Sequence, residues 1–107
     1  MSRDQAEIIV ATLERVRQRP GMYVAAELPA VVNFLAGFYV GCSVAGVSAP
    51  TDGLDDTVVV ERGWKVSSLG PLLSMKERGL SDEAILDELL AIEIEIWNRR
   101  VHQMDSK

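Results

Sequence analysis

The chain has 107 residues, 48% of them hydrophobic and 25% charged, with 16 Asp or Glu against 11 Lys or Arg and a formal net charge of -5. That length supports one hydrophobic core, and the acidic surplus argues against nucleic acid as a partner, because phosphate-backbone binding needs clustered Lys and Arg. One cysteine, Cys42, and one histidine, His102, exclude an internal disulfide and any zinc site without carboxylates. A reducing, cytoplasmic setting is therefore expected.

Arg3, Asp4 and Glu7 precede any apolar run, which is not the charge-then-hydrophobic order of an export signal. Ser2, with Gln5 three residues later, reads as a capping box. Ala6, Ile9, Val10, Leu13 and Val16 then recur at helical spacing and predict a helix over 3–18. Pro20 removes a backbone donor and pushes Arg19 out of the helical region, while Gly21 tolerates any turn conformation. The helix stops there, with Arg15, Arg17 and Arg19 spaced along its end and Tyr23 just beyond.

Pro29 suits the first turn of a second helix, on which Val31, Val32, Phe34, Leu35, Phe38, Tyr39 and Cys42 cover most of the circumference. This pattern predicts a buried element. Gly37, Gly41 and Ala45 repeat at four-residue spacing, leaving a strip along which another backbone can approach closely. A crossing inside the fold is expected, with a homodimer seam as the alternative. No charged residue occurs from Leu28 to Thr51, a length able to span a bilayer, and Arg15, Arg17 and Arg19 precede it while Asp52, Asp55 and Asp56 follow. Pro29, Asn33 and three glycines dilute its hydrophobicity, and the other amphipathic helices need a covering partner. A core helix is the expectation, with no membrane association.

Residues 46 to 56 read as a loop, and the β-branched run Thr57-Val58-Val59-Val60 predicts a short extended segment over 57–61. Leu69, Leu72, Leu73 and Met75 predict a short third helix that starts near Gly70 and ends at Gly79, with Trp64 anchoring its approach. Ser81 caps a fourth helix that carries Asp82 and Glu83 in its first turn and runs to about His102. The alternation Ile92-Glu93-Ile94-Glu95-Ile96 also fits a strand, but helical spacing continues from Ile85 to Val101 and decides the matter. The expected fold is all-α or mostly α, a compact bundle of about four helices forming a single domain over 1–107.

On the fourth helix, Glu93 falls near the middle of a broad apolar face. A carboxylate there must be paired, protonated or open to a cleft, because burying it uncompensated is costly. The expected partner is an arginine of the Arg15, Arg17 and Arg19 group, with Arg100 or the Tyr23 or Tyr39 hydroxyl as alternatives. His102 lies nine positions on, too far along the helix to form an acid–base pair with Glu93. Cys42 has no basic neighbour in sequence to activate its thiol, and Ser67 and Ser68 lack a nucleophile-elbow context. No catalytic, cofactor-binding or metal-binding residue is expected, and the chain reads as a non-enzyme.

Residues 52 to 95 hold 11 Asp or Glu against four Lys or Arg, a field that steers a basic protein partner. Binding is thus the expected mode of action, and the interaction candidates are Arg15, Arg17, Arg19, Tyr23, Glu93, Asp87 and Glu88.

Arg17-Gln18-Arg19-Pro20-Gly21-Met22-Tyr23-Val24 resembles the start of the ATPase region of gyrase B-type topoisomerases. Ala25 stands where that family usually has glycine, and Val31-Val32-Asn33-Phe34-Leu35 lacks the carboxylate that holds magnesium there. The ATPase chemistry does not carry over. Pro20-Gly21-Met22-Tyr23, followed by Phe34-Leu35-Ala36-Gly37-Phe38, is also similar to small uncharacterised bacterial proteins, some of which sit among toxin and immunity genes. That resemblance implies an immunity-like or regulatory inhibitor acting by binding. A structural or homo-oligomeric subunit without catalysis is the alternative.

Overall fold

The structure, a computed structural model, describes residues 3–24, 27–46, 54–66 and 71–105. The described elements are α1 (Arg3–Gln18), a 3-10 turn (Pro20–Met22), α2 (Leu28–Val44), α3 (Leu54–Glu61), α4 (Leu72–Glu77) and α5 (Asp82–Asp105), with no strand among them. The mostly helical fold is as expected, with five α-helices rather than about four. The capping role of Ser2, residues Ser67, Ser68 and Leu69, and most of the loop expected over 46–56 lie outside the described residues.

The fold is organised around α5. The Ser81 hydroxyl accepts a hydrogen bond from the Ala84 N–H at 3.2 Å, and Asp82 and Glu83 in the first turn complement the helix dipole. Leu86, Leu90, Ile94 and Trp97 make one apolar stripe, buried with Ala6, Leu13 and Val16 of α1 and with Val31 and Cys42 of α2. Ile85, Ile92 and Ile96 make a second, buried with Val58 and Val59 of α3 and Met75 of α4. The two stripes adjoin, so α5 is apolar around most of its girth and is the helix the others cover. The radius of gyration, 13.7 Å, matches the roughly 13 Å of a packed domain this long.

Residues 57–61, expected to be extended, are helical. Three valines cost roughly 2 kcal/mol of helix propensity at most, whereas burying Val58 and Val59 contributes about 3 kcal/mol. The helix end is closed by glycine: Gly63, at φ +88°, donates to the Val60 carbonyl at 2.9 Å, and the Trp64 N–H donates to Val59 at 3.1 Å. This Schellman closure brings Val59 and Trp64 together in the second core cluster. The end of α4 repeats it, with Gly79 at φ +80° and the Leu80 N–H donating to Met75 at 3.2 Å.

Two further expectations are corrected. The buried helix is α5 and not α2, which buries Val31 and Cys42 but leaves Val32, Tyr39, Val40 and Val44 exposed. Nor does any described backbone approach α2 along its glycine strip, since a Cβ added at Gly37 or Gly41 would meet nothing within 4 Å among the described residues. The Pro20 turn forms as expected, with Tyr23 and Val24 N–H groups both donating to the Pro20 carbonyl. It does not need the freedom of Gly21, which is not among the glycines at positive φ.

Candidate functional site

A step of seven residues is close to two helical turns, so Glu93 and Arg100 stand one above the other on α5, in the seam between its two apolar stripes. Both are buried, at 7% exposure each. The partner of Glu93 is the Tyr39 hydroxyl, which donates to Oε1, and not an arginine of the α1 end as expected. Tyr39 is half-exposed as a residue, yet its hydroxyl is turned in to this carboxyl. Arg100 pairs with Asp55 at 3.2 Å and lies over the Trp97 ring, 5.1 Å from its centroid.

Burial pushes the Glu93 carboxyl above the usual carboxylate range, and the charge of Asp55 adds to that rise. The Tyr39 hydrogen bond and the Arg100 charge oppose it without reversing it. The Trp97 indole N–H has no hydrogen-bond partner among the described residues, but it lies near enough to Glu93 to favour its ionised form. Burial, together with Glu93, also raises the Tyr39 hydroxyl far above its ordinary value, so it remains a donor. The Cys42 thiol is pushed up by the same two causes, which fits its reading as an unactivated core residue.

Beside this pair is a cavity of about 220 Å³. Leu35, Val59, Leu89 and Ile92 supply apolar walls, and Tyr39, Asp55, Asp56 and Glu93 supply polar groups. Asp55 and Asp56 come from the first turn of α3, the helix that the run of valines concealed, so this grouping was missed. Its signal was present: two acidic residues ahead of an apolar run and a glycine after it mark a helix start and stop.

The other interaction candidates divide into two groups. Arg17 grips Asp87 in a forked pair at 2.9 and 3.3 Å, tying α1 to α5 on the surface. Glu88 accepts a fork from Arg62 at 2.6 and 3.1 Å and a bond from the Trp64 indole at 3.0 Å. The Arg62 hydrogen bond holds the Glu88 carboxyl below its usual range. These residues tie elements together. Arg15, Arg19 and Tyr23 are exposed on the surface, with Met22 beside Tyr23.

The outer face of α2 is the other distinctive surface. Val32, Ala36, Val40 and Val44, four residues apart, are exposed, and Asn33, Gly37 and Gly41 run alongside them. The helix carries no acidic or basic residue. No helix among the described residues is long and apolar enough to cross a membrane, and no group of three or more His, Cys, Asp or Glu among them is placed to hold a metal ion. Comparison with known proteins gives no match to a family model, a curated protein or a solved structure.

Proposed function

We propose that this protein acts by binding another protein through the outer face of α2. The carrying observation is the uncovered row of Val32, Val40 and Val44 on a helix without charge, in a chain of net charge -5. Apolar side chains gathered on one exposed helix face favour a partner that removes them from water. The chain's acidic surplus, 16 Asp or Glu against 11 Lys or Arg, favours a basic partner through electrostatic steering. An inhibitor of immunity type, in the reducing cytoplasm, is the concrete form this reading takes, and the proposed mode of action is non-catalytic.

A second reading has its own support. No described residue lies within 4 Å of a Cβ added at Gly37 or Gly41, which allows a second copy of α2 to approach closely and favours a homo-oligomeric subunit. Site-specific photocrosslinking in cells, from an unnatural side chain at Val40, separates the two. An adduct with a different protein supports the first reading and an adduct with a second copy supports the second. Labelling no stronger than from exposed Glu7 on α1 would remove both.

A further inference from the structure

We propose that the cavity between α2, α3 and α5 is a binding site for an organic cation on a short apolar stem, an alkylguanidinium or alkylammonium group. With Glu93 ionised, the polar groups at the cavity offer acceptors and no spare donor. Tyr39 already donates its hydroxyl proton to Glu93 Oε1, and the Trp97 indole N–H is directed to the same carboxyl. Asp55 and Asp56 add two further carboxylates, of which Arg100 neutralises one. Guanidinium and ammonium groups carry donors alone, so they complement this set, whereas an anion or a carbonyl compound would face only acceptors.

The walls and the size narrow the choice. Val59 and Ile92 give the cavity an apolar side suited to methylene groups. At about 220 Å³ it falls below the roughly 300–1,000 Å³ of pockets for drug-sized ligands, so its occupant is the size of a single side chain. The buried position of Glu93 strengthens its attraction for a cation, since little water competes there. This site uses the inward-turned hydroxyl of α2 and not its outward valines, so it stands or falls apart from the interface proposed above.

The test is titration of the ¹⁵N-labelled full chain, followed by amide shifts, with n-butylguanidinium chloride and, at matched ionic strength, with n-butanol. Saturable shifts at Asp55, Asp56 and Glu93 with the cation, and none with the alcohol, are expected. Glu93→Gln, which keeps the side-chain shape, should weaken binding about tenfold, the worth of one charge-assisted hydrogen bond. Asp56→Asn alters an exposed residue only and should weaken it by about two- to threefold. A blocked tripeptide with a central arginine locates the source of the cation: tighter binding than n-butylguanidinium assigns it to a partner protein, weaker binding to a free small molecule. Equal affinity for n-butanol, unchanged affinity in both variants, or no saturable shift would overturn the proposal.

Discussion

At the scale of single residues, Glu93 and Glu88 answer pH in opposite directions. Glu93 holds its proton more readily folded than unfolded, because burial raises its folded-state value. Its favourable contribution is therefore complete in acid, below the unfolded value of about 4.3, and is lost as pH rises through the raised folded value. Glu93→Gln removes that loss, so the variant should match or exceed the parent in stability at neutral pH and gain on it steadily from about pH 4 upward. Glu93→Ala empties the seam and strands the Tyr39 hydroxyl, a loss of about 1–3 kcal/mol. Glu88 is the reverse case, since the Arg62 fork lowers its folded-state value. It stabilises the fold above the usual carboxylate range, and that contribution disappears as pH falls through the lowered value. Because Arg62 is partly exposed, Glu88→Gln should cost no more than about 1 kcal/mol at neutral pH, with the difference vanishing in acid. Denaturant melts from pH 3 to 8 check both residues. A Glu93→Gln curve parallel to that of the parent would mean Glu93 does not titrate differently on folding.

At the scale of elements, α1, α4 and α5 were legible because apolar periodicity and end signals agree on them. The valine run of α3 reads as extended but is helical for an identifiable reason. Valine disfavours helix only weakly, so burial of Val58 and Val59 outweighs it, and the Arg62-Gly63-Trp64 sequence is a helix end that reads as a turn when seen alone. The burial of α2 was misjudged for a different reason. A helix apolar all round has no intrinsic outer face, and only the position of α5 decides which side is covered. Glu93 was legible as buried because its neighbours are apolar, but its partner was not, since pairing depends on where α2 crosses α5. Two glycines give a direct check on this scale. Gly63→Ala forces a side chain into the left-handed region at φ +88° and should cost about 1–2 kcal/mol. Gly21→Ala meets open space at an ordinary φ and should leave the melt unchanged or raise stability by about 0.4–1 kcal/mol. Equal losses at the two positions would show that the Pro20 turn does need its glycine.

At the scale of the whole molecule, the fold is a central α5 with α1 closed tightly along one side, α3 and α4 on the other, and α2 attached by one edge. The strip of small residues on α2 is where the sequence and the folded chain differ most in consequence. From spacing alone, Gly37 and Gly41 imply a crossing that bulk would disrupt, and overpacking of that kind costs about 1–3 kcal/mol. In the folded chain both glycines are exposed, and a Cβ there meets nothing within 4 Å among the described residues. A leucine at position 41 therefore points away from the core, and the helix gains from replacing its least favourable ordinary residue, by about 0.5–1 kcal/mol. Gly41→Leu should raise the melting temperature of the diluted protein slightly, or leave it unchanged. If the outer face receives a second copy, the same substitution should abolish self-association in sedimentation velocity while the monomer keeps its stability. A monomer that melts several degrees lower would instead mean that some part of this chain sits against Gly41, and the outer face of α2 would no longer be free for any partner.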